Sequence, residues 1–244
     1  IGILENAAPM VQDYYPALSA AAAAGFVGLL SLANMGGRFI WSSASDVIGR
    51  KNIYMVYLGV GLIFYFVVAS AGHTSLALFV ISTLILLTFY GGGFSTIPAY
   101  LRDLFGVYQV GAIHGRLLTA WSAAGVAGPL IINMVVERQA SRGNSGPELY
   151  QLSLYIMCVL LAVGLVANVL VRPVAEKWFE DPETVAAKVE ADRASARESA
   201  TTATGGGAGS VHALLAAVLA LVITALLVYG LWETAAKASQ MFAA

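Results

Sequence analysis

One arginine, Arg38, stands inside an apolar run that holds no other ionisable side chain between Ala17 and Ser45. It lies eight positions before Asp46, about 12 Å along a helix that rises 1.5 Å per residue. That places it near mid-depth in a hydrocarbon core about 30 Å thick. A cation there is costly unless it faces the bundle interior, a watery cavity or a counter-charge. Acids are absent from every apolar run between residues 18 and 171 and sit in loops, at run ends or in the tail. A buried guanidinium with no resident carboxylate is what a small anion needs as its binding partner. Gly36 and Gly37, just before it, favour an inward face because small residues let helices approach closely. The alternative is a structural cation, bonded to backbone carbonyls or snorkelling toward headgroups.

Other chemistry finds no constellation. His73, His114 and His212 fall in different loops or run ends, away from any Ser/His/Asp or Cys/His arrangement. Gly91-Gly92-Gly93 lacks the Gly-Lys-Ser/Thr ending of a phosphate loop. The single cysteine, Cys158, excludes a CxxC metal or redox pair. No enzyme activity, metal or cofactor is therefore expected.

The surrounding chain is built for lipid. Of 244 residues 59% are hydrophobic and 11% charged, far below the quarter or so of charge in soluble domains. The expected fold class is an all-α integral membrane protein, with the lipid bilayer as its solvent. A net charge of -1 with no basic clustering excludes nucleic acid as a partner. The runs predict membrane helices over 18–43, 53–71, 76–100, 111–136 and 149–171, each near or above the length that spans a bilayer. Residues 5–16, with Pro9, Pro16 and two acids, read as a polar loop, and Asp46 to Asn52 reads as a turn. Gly91 to Gly93 and Pro98 predict a bend near the middle of the third helix, a plausible gate or else a packing device.

From residue 175 the character changes. Glu, Lys, Asp, Arg and Ala mix as far as Glu198, and Thr/Gly/Ala-rich sequence continues to Gly209. This predicts a cytoplasmic amphipathic segment and flexible linker over 174–210, then an additional transmembrane helix within 211–244. Lys and Arg collect in alternate loops, at Arg50/Lys51, Arg102 and Arg172 onward, which are thereby assigned to the cytoplasm; Arg138 and Arg142 oppose this and are outnumbered. The chain opens at Ile1-Gly2-Ile3-Leu4, which reads as the tail of an earlier helix, so the sequence is expected to be a fragment.

Asp46-Val47-Ile48-Gly49-Arg50-Lys51 resembles the D-x-x-G-R-R/K signature of the major facilitator superfamily, and Gly125 to Pro129 supplies a G-x-x-G-P run two helices later. More narrowly, Gly37-Arg38-Phe39-Ile40-Trp41-Ser42-Ser43, the stretch Pro98 to Gly106 and the stretch Val110 to Ser122 resemble the oxalate/formate antiporter family. The resemblance implies that residues 1–173 are the second half of a carrier, the end of helix 7 and helices 8 to 12, with a missing N-terminal half as partner. The last span, around Tyr229 to Thr234, is similar to a small single-span subunit paired with such carriers.

The resemblance also implies a function: a secondary active antiporter of small organic anions such as formate, oxalate or a related monocarboxylate. Such a carrier works by alternating access, here in a bacterial inner (plasma) membrane. Arg38 matches the family's helix 8 arginine, whereas no lysine answers to the one in helix 11; Trp121 and Ser122 occupy that region. One cation instead of two favours a monocarboxylate. Tyr90, Phe94 and Trp121 are expected to wall the substrate cavity and supply hydrogen-bond donors, or else to serve packing. The gating motif implied by the family comprises Asp46, Gly49, Arg50, Lys51 and Arg102, with Asp46 bonded near Arg50 or Arg102 as a cytoplasmic latch. A reading of another class is a non-transporting membrane receptor or assembly subunit with the same bundle.

Overall fold

A computed structural model describes residues 2–178, 180–205, 214–225, 228, 229 and 232. Every regular element among these is helical: α1 (Gly2–Glu5), α2 (Ala7–Tyr14), α3 (Ala20–Ile48), α4 (Arg50–Ala71), α5 (Leu76–Ala140) and α6 (Glu148–Leu170). A 3-10 turn at Glu176–Trp178 and α7 (Pro182–Gly205) come next, then the short apolar helix α8 (Leu214–Ala225). Four of them, α3 to α6, are long and apolar enough to cross a membrane. Two compact units emerge, Ile1–Glu176 and Lys177–Ala244.

Most of the predicted loop over 5–16 is corrected to helix, Ala7–Tyr14. Ala7, Met10, Val11 and Tyr14 are buried, and their spacing of three and four residues is one helical face. Pro9 is tolerated because it sits in the first turn of α2, where the backbone N–H has no intrahelical acceptor to lose. The predicted turn over 46–52 also contracts. Asp46 is within α3, Arg50 opens α4, and Gly49 alone joins them at φ 90°, in the half of backbone space that glycine enters without a Cβ clash.

Helical dihedrals continue through Gly91 to Gly93 and Pro98, where a bend was expected. Non-helical dihedrals occur at Gly106 instead, φ 73° and ψ 175°, a region open essentially to glycine. The break reverses the chain. Trp121 Nε1 donates to Tyr90 Oη at 3.5 Å across 31 residues, which a continuous helix would separate by about 46 Å. The arms 76–105 and 107–140 therefore fold back on each other and account for two membrane crossings.

The triple glycine serves contact. A Cβ on Gly37 would overlap the Thr88 carbonyl, one on Gly91 would overlap the Asn34 carbonyl, and one on Gly92 would lie 2.6 Å from Trp41 Cβ. α3 and the first arm of α5 thus cross nearly backbone to backbone, and Trp41 Nε1 donates to Thr88 Oγ1 at 3.1 Å beside the crossing. A core of Met10, Tyr14, Phe26, Leu30, Val68 and Phe79 extends the contact toward α2 and α4. The second arm differs: between 107 and 131 no residue is buried as a whole, and Ile132 is the first that is.

In the second unit, α7 carries the helix through Thr201 to Gly205, where linker was expected; residues 206–210 lie outside the described residues. Of the predicted last span, the structure describes α8 and a few positions beyond it, and 211–213, 226–227 and 230–231 lie outside.

Candidate functional site

Arg38 follows Gly37, whose Cα face is pressed on α5, and precedes the exposed Phe39 and Ile40. Its side chain is exposed, and its carbonyl accepts from Ser95 Oγ at 3.1 Å. Among the described residues no acid pairs with its guanidinium. Gly36 has open space where a side chain would stand, whereas Gly37 makes the close contact with α5. The room expected beside the arginine thus comes from one of the two glycines.

Tyr90, Phe94 and Trp121 do come together. Tyr90 and Phe94 have ring centroids 5.3 Å apart, as do Phe94 and Trp121, and both pairs are edge-to-face. They line a cavity of about 350 Å³ between α4, both arms of α5 and Leu161 of α6. Arg38 is not part of its wall. Sequence reasoning missed the α4 side, formed by Tyr54, Tyr57, Gly61 and Tyr65. Their helical spacing was the available signal. It missed His114 as well, which reads from sequence as a residue of a helix opening, although the imidazole lines the cavity and its Nδ1 is buried without a partner.

A second polar group forms where α3 meets α4. Arg50 pairs with Asp46 one turn earlier and with Asp103 of α5 at 3.2 Å, with 20% of its side chain exposed. Arg102, expected in this latch, is exposed and makes no ion pair among the described residues. On a helix, neighbouring side chains point about 100° apart, so when Asp103 faces Arg50 its neighbour cannot. Lys51 turns the other way and donates to the Val169 and Val171 carbonyls at 3.0 and 2.6 Å. The last carbonyls of α6 have no partner within the helix, and a cation there also meets the negative end of the helix dipole. Asn168 Nδ2 donates to the Lys51 carbonyl and Tyr100 Oη donates to Asn168 Oδ1, both at 3.1 Å. Three helix ends are joined by this chain of bonds.

The opposite end of the unit carries its own ties. Tyr150 Oη donates to Asp13 Oδ2 at 2.6 Å, and Tyr15 Oη donates to the Gly72 carbonyl. Burial raises the Tyr15 phenol above its ordinary range, so it is a neutral donor throughout the physiological range. Both ends are therefore closed by hydroxyls and charges, and the spans between them hold Arg38 and the aromatic cavity.

A family model, Major Facilitator Superfamily, matches residues 3–243. No curated protein and no solved structure matches the chain. The family match spans nearly the whole sequence and agrees with an all-helical fold of long apolar spans joined at the Asp46-to-Lys51 junction. This multi-pass membrane protein belongs to the major facilitator superfamily, whose members are secondary transporters and not enzymes.

Proposed function

We propose that the protein exchanges small organic anions, formate, oxalate or a related monocarboxylate, across a bacterial inner membrane by alternating access. The observation that carries this reading is Arg38: a mid-span guanidinium without an acidic partner among the described residues. The acids of the spanning helices stand near their ends, Asp46 and Asp103 at one junction and Glu137 and Glu148 around the 141–147 loop. A carboxylate arriving at Arg38 meets a planar fork of donors that it can accept from in pairs, in a medium where the charge has few other ways of being satisfied. A single cation matches a single negative charge, which favours a monocarboxylate. Tyr90, Phe94 and Trp121 make no contact with that anion in this reading, because the cavity they wall excludes Arg38.

Asp46, Arg50 and Asp103 act here as the cytoplasmic latch, Gly49 as the joint that lets α4 leave α3, and Lys51 as the anchor to α6. Transport requires such end contacts to form and break between two states of the bundle.

The test is counterflow of radiolabelled formate and lactate in liposomes, with the protein expressed from its full reading frame. Arg38→Ala is expected to cut exchange by at least about tenfold, the loss of a charge-assisted pair worth roughly 1.5–3 kcal/mol, and Arg38→Lys to retain part of it. Uptake and anion affinity indifferent to Arg38→Ala would remove Arg38 from the binding site. Absence of any counterflow by folded protein would favour the receptor or assembly-subunit reading.

A further inference from the structure

We propose that the cavity between α4 and the two arms of α5 is a binding site for a small uncharged lipophile carrying one hydroxyl, which His114 reads. This site is independent of the anion reading, since Arg38 is not in its wall. Its volume of about 350 Å³ is within the range of small-molecule sites, which are mostly apolar with a few placed polar groups. Tyr54, Tyr57, Phe89, Tyr90, Phe94 and Trp121 supply aromatic faces and edges. No Asp, Glu, Lys or Arg lines it, so an ionised guest would be left unpaired at a large desolvation cost.

The polar atoms of the wall divide into occupied and free. The Tyr54 hydroxyl donates to the Gly93 carbonyl at 2.6 Å, and the Tyr90 hydroxyl accepts from Trp121. His114 Nδ1 and the Tyr57 hydroxyl are buried without a partner. The Tyr57 oxygen lies against Gly92, toward α3, so of the two buried unpartnered atoms of the wall His114 Nδ1 is the one placed to meet a guest. A buried ring nitrogen without a partner is unfavourable until a hydroxyl reaches it. Gly93 keeps the space clear, because a Cβ there would meet no atom within 4 Å.

The arms of α5 also give the guest a way in. The wall contributed by the second arm comes from a segment in which no residue between 107 and 131 is buried as a whole, so local opening there disrupts little packing.

Trp121 lines the cavity and reports occupancy by its fluorescence. The probes are 4-bromophenol, neutral at neutral pH, and 4-bromoanisole, which has the same body and lacks the hydroxyl proton. Both are titrated into the full-chain protein in nanodiscs, and the signal of Trp121→Phe is subtracted to isolate the residue. Saturable quenching by the phenol is expected, with the anisole weaker by about 2- to 10-fold, the worth of one neutral hydrogen bond. His114→Ala is expected to abolish that preference while retaining quenching, and Gly93→Leu to abolish saturable quenching by both. Non-saturable quenching, equal affinity for the two probes, or quenching indifferent to Gly93→Leu would overturn the proposal, since each describes partition into lipid. Thermal melts of both variants verify that they are folded before the titration is read.

Discussion

At the residue scale the molecule contrasts two basic groups. Arg50 has two carboxylates and Lys51 two carbonyls, whereas Arg38 has no acid paired to it among the described residues. Pairing and depth, not charge, separate a structural cation from a candidate ligand. The glycines are equally differentiated. Gly93 faces open space, while Gly91, two positions earlier, touches the Asn34 carbonyl. Gly91→Ala is expected to lower stability by about 1–3 kcal/mol, the usual range for overpacking, read as a fall in melting temperature in detergent. Gly36→Ala, where nothing lies within 4 Å, is expected to leave the melt unchanged or to raise it slightly through helix propensity. Equal effects of the two would show that the crossing can spread without cost.

The elements were largely legible because long apolar runs flanked by charge can be satisfied in few ways. What escaped was phase and context. Pro9 and the acids around it obscured the Ala7, Met10, Val11, Tyr14 face of α2. Consecutive glycines signal either a weak helix or a close neighbour, and sequence alone does not say which; here α3 supplies the neighbour. The same blindness hid Asp103 behind Arg102 and the α4 tyrosines behind their own span, because which helices face each other is a tertiary fact. The reversal in α5 depends on one backbone conformation. Gly106→Ala forces a Cβ into φ 73° and is expected to cost about 1–3 kcal/mol, with the loss seen as faster amide exchange or proteolysis around 102–112. A variant as protected as the native chain would place the turn's stability elsewhere.

At the scale of the whole first unit, stability at the end where α3 meets α4 rests on a short polar chain from Tyr100 through Asn168 to Lys51 and on to the end of α6. Asn168→Leu removes the middle of it and leaves a hydroxyl and a carbonyl without their partner, an expected loss of about 1–3 kcal/mol. Lys51→Met frees two carbonyls and is expected to lose a comparable amount. The double variant should lose less than the sum, because both changes release the same helix end. Strict additivity in the melts would mean that the two bonds hold separate structures. The Arg50 pairs, partly open to solvent, are expected to matter less for stability than for the balance between conformations.

The crossing of α3 with the first arm of α5 has a mechanical consequence. Where main chain rests on main chain there are no rotamers to exchange and no ridge to slip over. The two helices form a single plate, and Arg38 is bolted to it. Any excursion of the Arg38 backbone must tilt the plate as one piece, with the compliance supplied at its rim.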